Sequence, residues 1–137
     1  MLSGFNIWEV LVAAVSGFGI GALWYGPPLF GKRWQALVGL SDEDIQSANM
    51  PLIFGLAFLL NLIVAAVLSL FVELFMMIGS NAILGGALSA LLCFAFVATT
   101  FGINYLFARR PFKLYLIDVG YMMVMFFVMG VIIGAWY

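Results

Sequence analysis

The residues able to do chemistry in this chain are few, and most stand at the edges of apolar runs. Asp118 lies inside "KLYLIDVGYMMVMFF", four residues past Leu114, with Tyr121 three residues on and therefore on the same helical face. Asn104 reaches a similar depth at the end of the preceding apolar run, and Arg109, Arg110 and Lys113 fall between the two. A carboxylate in the first turns of a helix is favoured by the macrodipole. The spacing predicts a polar cluster of Asn104, Asp118, Tyr121, Arg109 and Arg110, with Asp118 only about 6 Å inside the helix end. In that position Asp118 is a pin fastening the last helix to the interface, not a carrier of protons or ions.

Asn61 is the deeper group. It lies ten residues past Pro51, which places it about 15 Å along a helix and close to mid-membrane. Ser16 and Thr99 or Thr100 reach comparable depth, so a hydrogen-bonded layer of Ser16, Asn61, Thr99 and Thr100 is expected. Such contacts contribute about 0.6 kcal/mol each. They read as structural glue, with a substrate path as the alternative. Glu9 and Glu73 fall near the opposite helix ends, where solvation at the interface is expected rather than a buried pair. Ser41 and Asp44 have capping-box spacing, so Asp42, Glu43 and Asp44 read as a solvated helix start rather than a metal site.

Catalysis in a membrane needs a nucleophile with a base, or metal ligands. The chain has no histidine and one cysteine, Cys93, set in "SALLCFAFV", where it reads as a small apolar residue. No two carboxylates stand at one depth on an obvious face, so catalytic, cofactor-binding and metal sites are not expected. Met122, Met123, Met125 and Met129 read as packing rather than soft-metal ligands. A net charge of −1 with five basic residues gives no stripe to neutralise phosphates, which argues against a nucleic-acid partner.

The elements that position these residues follow from composition. The chain is 66% hydrophobic and 8% charged, against roughly a quarter charged in soluble proteins. It reads as an integral membrane protein with one membrane domain over residues 1–137. Apolar segments at about 5–25, 51–76, 83–107 and 114–136 each hold about 20 residues or more, enough as helices to cross a core of about 30 Å. A β-barrel would alternate in segments of about ten residues, whereas "LIFGLAFLLNLIVAAVLSLF" is apolar on every face. The fold class is therefore all-α with four transmembrane helices, here helices 1 to 4. The opening "MLSGFNIWEV" has no Lys or Arg and carries Glu9, so the first run is expected to be retained rather than cleaved.

Loop 1 is long and patterned. Pro27 and Pro28 stop helix 1 after Trp24 and Tyr25, an aromatic pair at the expected membrane interface. Phe30, Trp34, Leu37 and Val38 then form one stripe, predicting a short interfacial helix up to Gly39, and Ser41 opens a second short helix. The five basic residues Lys32, Arg33, Arg109, Arg110 and Lys113 all lie in loops 1 and 3. The positive-inside rule makes those loops cytoplasmic and places both termini outside. The same bias argues against insertion in both orientations.

Short loops 2 and 3 make helices 2, 3 and 4 antiparallel neighbours and constrain helix 1 less. Small residues mark close approach in lipid: Ala13, Gly17 and Gly21 on helix 1, Gly85, Gly86, Ser89 and Ala90 on helix 3, and Gly130 and Gly134 on helix 4. Depth separates them into an outer contact between helices 3 and 4 and an inner contact of helix 1, made within the chain or with another copy in a homo-oligomer.

"GALWYGPPLFGKRW", "GLSDED", "NYLFARRPFKLYLIDVGY" and "MGVIIGAW" together resemble the family of small four-helix bacterial membrane proteins catalogued as domain of unknown function 1761, over nearly the whole chain. The resemblance implies a topology in a bacterial cytoplasmic membrane, with no activity, substrate or cofactor. It maps recurrent family positions onto Trp24, Tyr25, Pro28, Gly31, Trp34, Asn104, Tyr105, Arg110, Asp118 and Tyr121. Where the family pattern often has histidine after "GY", this chain has Met122, so the resemblance supplies no proton relay there. The expected function is a non-catalytic structural or regulatory membrane component, with the bilayer as its surroundings and loop 1 and the Asp118 cluster offered to a protein partner or a second copy. The alternative is a small oligomeric transporter or channel whose path passes the layer around Asn61.

Overall fold

The computed structural model describes residues 6–137. Among these residues there is no strand, and four helices are long and apolar enough to cross a membrane: helix 1 (Ile7–Trp24), helix 2 (Met50–Met77), helix 3 (Ala82–Phe107) and helix 4 (Phe112–Ala135). The chain is an all-α, four-span membrane protein. Phe5, the expected start of helix 1, lies outside the described residues.

Asparagine opens three of the four spans. The Asn6 side chain accepts from the Trp8 N–H at 3.0 Å, Asn49 from Leu52 at 3.2 Å and Asn81 from Leu84 at 2.9 Å, each satisfying a backbone donor that the first turn leaves open. Helix 4 instead follows Pro111, which makes no side-chain cap.

Loop 1 carries the two expected helices. The first loop helix, Gly31–Val38, keeps Phe30, Trp34, Leu37 and Val38 half-buried and leaves Lys32 and Arg33 exposed. It ends at Gly39 with φ +79°, a left-handed cap that glycine adopts without strain. The second, Asp42–Ser47, opens with the capping box: Ser41 Oγ accepts from the Asp44 N–H at 3.0 Å, and Asp44 Oδ2 from the Ser41 N–H at 2.9 Å. Gln35 Nε2 donates to Asp42 Oδ1 at 2.8 Å, tying the two loop helices together.

Helix 4 is the hub. On one side its Met125, Met129 and Ile133 join Val10, Ala13 and Ala14 of helix 1 and Ala65, Leu68 and Val72 of helix 2 in the buried core. On the other side helix 3 lies against it through small residues. A Cβ on Gly86 would stand 2.8 Å from the Phe127 carbonyl, one on Gly130 would stand 2.9 Å from the Gly85 carbonyl, and one on Gly134 would stand 3.0 Å from Ala82 Cα. Helix 1 approaches helix 4 through Gly17, which faces Met129 and Met125, and through Gly21, which faces the Tyr121 ring. Both glycine sets therefore make contacts within the chain. Outward-facing Leu56, Leu60, Ile63, Phe94, Phe96 and Leu106 are the apolar surface that a lipid-facing helix requires.

Helix 3 is not a continuous α-helix. Residues Cys93–Ala98 wind as a π-helix, which inserts one extra residue into the turn. From Ser89, an unbroken α-helix would return to the helix 4 face at about residues 93, 96, 100 and 104. The buried positions instead run Gly85, Ser89, Cys93 and then Ala98, and the face continues through Gly102 and Tyr105, both directed at Tyr115. The wide turn's carbonyls find other donors. Thr99 Oγ1 reaches Ala95 O at 2.7 Å, Thr100 Oγ1 reaches Phe96 O at 2.6 Å, and Tyr115 of helix 4 donates to Ala98 O at 2.8 Å.

Candidate functional site

At the end of the bundle that carries loops 1 and 3, three elements converge on Asp118. Helix 1 stops at Trp24 because the chain enters the Gly26-Pro27-Pro28 turn. There the Phe30 N–H bonds the Trp24 carbonyl at 3.0 Å and the Gly31 N–H bonds the Gly26 carbonyl at 3.0 Å. Gly31 suits this turn because a Cβ there would stand 2.5 Å from the Tyr25 carbonyl. The turn aims two side chains at helix 4. Trp24 Nε1 donates to the Ile117 carbonyl at 2.9 Å, and the Tyr25 hydroxyl donates to Asp118 Oδ1 at 2.7 Å. From helix 3, the Tyr105 hydroxyl donates to Asp118 Oδ2. Each carboxylate oxygen thus has a phenol donor, the charge-assisted arrangement a buried acid needs, and Asp118 is only 8% exposed.

Aromatic packing holds the donors. The Tyr25 ring meets Tyr121 and Trp34 edge-on, with centroids 5.4 and 5.6 Å apart. Tyr105 packs against Tyr115 at 5.9 Å, and the Arg110 guanidinium lies 5.8 Å from the Tyr105 ring centre.

This differs from the predicted cluster. Asn104 is exposed, one residue away from the face that meets helix 4, because the π turn brings Tyr105 there in its place. Tyr121 does not donate to Asp118; its hydroxyl goes to the Gly17 carbonyl at 3.1 Å, reached across Gly21. Arg109 and Arg110 are exposed. Arg109 stands at φ +55° in the turn that ends helix 3, where the Arg110 N–H bonds the Tyr105 carbonyl at 3.0 Å. Of the predicted cluster, Asp118 holds its central place, Arg110 touches a partner's ring, and Asn104, Arg109 and Tyr121 serve elsewhere. Tyr25 and Tyr105, the actual donors, are among the positions the family resemblance maps. From residue chemistry Tyr25 reads as half of an interfacial aromatic pair, and no spacing in the sequence marks Tyr105 as a donor.

The mid-membrane layer is not assembled either. Ser16 donates to Ala13 O of its own helix at 2.7 Å, and Thr99 and Thr100 are exposed and bonded within helix 3. Hydroxyls on helices satisfy themselves on preceding carbonyls, so equal depth does not make them partners. Asn61 Nδ2 likewise donates to Ala57 O at 2.9 Å. Its buried Oδ1 accepts no hydrogen bond from a described residue and lies 2.8 Å from where a Gly17 Cβ would be. The Asn61 and Tyr121 side chains are neighbours, but the Tyr121 proton is directed at Gly17 O.

At the opposite end, the expectation of solvated acids is corrected. Glu9 is 2% exposed and Glu73 4%, close enough for their charges to interact, and the Tyr137 hydroxyl lies 3.5 Å from Glu9 Oε1. Distance along each helix places both near the boundary, but only azimuth shows that they face each other inside the bundle. Among the four methionines, Met125 and Met129 fill the core beside Gly17, and Met122 and Met123 are half-buried.

The model of a family described as "Protein of unknown function (DUF1761)" matches residues 8–134. Comparison with curated proteins gives no match, and comparison with solved structures gives none.

Proposed function

The chain belongs to the DUF1761 family, and from its geometry we propose that it is a non-catalytic structural or regulatory component of a cytoplasmic membrane. The observation that carries this reading is the state of Asp118. Both its oxygens are engaged by tyrosines, Tyr25 at the end of helix 1 and Tyr105 of helix 3, so the carboxylate acts as a clamp on three spans. The clamp sets the angle at which loop 1 leaves helix 1 and so fixes the two loop helices as a surface. In this reading loops 1 and 3 face the cytoplasm, since four of the five basic residues lie in them and the fifth, Lys113, stands in the first turn of helix 4 beside loop 3. The surface they form is available to a protein partner or a second copy.

One observation favours the competing reading of a small oligomeric transporter. Buried ionisable groups in membranes mark ion pathways, and Glu9 with Glu73 is such a pair. Against it, the apolar core of Ala65, Leu68, Met125 and Met129 lies between that pair and Asp118.

Asp118→Asn separates the two readings. A clamp predicts a lowered thermal midpoint in detergent, whereas unchanged stability with total loss of a proton or cation flux in proteoliposomes would establish the transporter. For orientation, Ser41→Cys should react with an impermeant thiol reagent only from the cytoplasmic side, against a low background because Cys93 is buried. Reaction from the outside would refute the topology.

A further inference from the structure

We infer that the groove between the first loop helix and helix 4 is a binding site for an anionic phospholipid. Trp24, Phe30, Arg33, Lys113, Leu116 and Ile117 line it. Its floor is apolar and fixed: the Trp24 and Phe30 rings pack with centroids 4.9 Å apart, and the indole N–H is already given to Ile117 O. The polar groups left to the groove are the two cations, so it suits a ligand with an anionic head and an apolar body.

Arg33 and Lys113 are exposed, and neither is ion-paired with a described residue. Three of the four acids at this end are engaged elsewhere, Asp118 with Tyr25 and Tyr105, Asp42 with Gln35 and Asp44 with Ser41, and the fourth, Glu43, is exposed on the second loop helix and does not line the groove. Lys113 is also the second residue of helix 4, the positive end of the dipole, where a lone cation is disfavoured and an anion beside it is favoured.

Position selects a lipid over a free phosphate. Leu116 is 53% exposed on the flank of a membrane-spanning helix, so the groove opens sideways toward acyl chains one turn below its cations. A soluble phosphate would leave Trp24, Phe30 and Leu116 unused. Asp118 does not line the groove, although Trp24 and Ile117 neighbour the clamp, and the inference does not depend on which side of the membrane loop 1 occupies.

The test uses the full chain with Trp24 as its sole tryptophan (Trp8→Phe, Trp34→Phe, Trp136→Phe), reconstituted in phosphatidylcholine vesicles containing a small fraction of brominated lipid. Quenching of Trp24 by brominated phosphatidylglycerol is compared with quenching by brominated phosphatidylcholine. Two surface cations predict a preference of about thirtyfold for the anionic lipid. Arg33→Gln with Lys113→Gln should bring it to about one, while Lys32→Gln with Arg109→Gln, an equal loss of charge outside the groove, should preserve it. Equal quenching of the parent by both lipids overturns the site without any charge variant. An equal loss in the control pair reduces it to surface charge, and abolition of the preference by millimolar inorganic phosphate makes it a phosphate site instead.

Discussion

Asn104 and Tyr105 are adjacent in sequence and opposite in consequence. Tyr105 donates to Asp118 and carries the Arg110 guanidinium on its ring, while Asn104 points away from helix 4. Tyr105→Phe removes a hydrogen bond to a buried carboxylate and should cost about 1.5–3 kcal/mol. Asn104→Ala, at an exposed position, should stay within about 0.5 kcal/mol. Thermal unfolding in detergent measures both, and a larger loss for Asn104→Ala would mean that the face is assigned wrongly. Asp118 as a shallow, anchored acid was legible from its distance to Lys113, because depth follows from counting residues. Its partners were not, since counting says nothing of which way a residue faces. The same gap explains Glu9 and Glu73, whose positions along their helices suggested solvent while their azimuths bury them together.

Helix 3 shows why azimuth was lost. Apolar runs of this length are read as uniform α-helix, and nothing in "CFAFVA" announces the π turn that rotates everything after it. If Cys93–Ala98 holds one surplus residue, deleting the outward-facing Phe96 should give a continuous α-helix with Ser89, Ala98 and Tyr105 still against helix 4. Its thermal midpoint should stay near that of the parent. Deleting Leu88 instead takes Ser89 and Cys93 off helix 4 and should destabilise the protein strongly; equal damage from both deletions would argue against the re-phasing.

In loop 1 the local signals were strong enough to read. The stripe Phe30, Trp34, Leu37 and Val38 and the Ser41–Asp44 box depend on near neighbours only, and both are present. The Ser41 backbone N–H, then its hydroxyl, hold the Asp44 carboxyl below its usual range. Because the folded value is lowered, the box's contribution is complete above the unfolded pKa of about 4. It is lost as the pH falls through the lowered folded value. The Ser41 amide resonance should therefore shift only below about pH 4, and a transition near neutrality would contradict the capping geometry.

At the scale of the whole molecule, four spans follow from hydropathy because a bilayer leaves a chain few other ways to satisfy its backbone. The arrangement of those spans followed less well. Short loops made helices 2, 3 and 4 neighbours, but helix 4 proves to be the hub, taking helices 1 and 2 on its methionine side and helix 3 on its glycine side. The Asp118 clamp closes this hub at the end bearing loops 1 and 3, joining Tyr25 and Asp118 across 93 residues of chain. The most direct test is a double-mutant cycle in detergent unfolding between Tyr25→Phe and Asp118→Ala. A clamp predicts a coupling of about 1 kcal/mol or more. Effects that add to within about 0.3 kcal/mol would mean that helix 1 is held without Asp118.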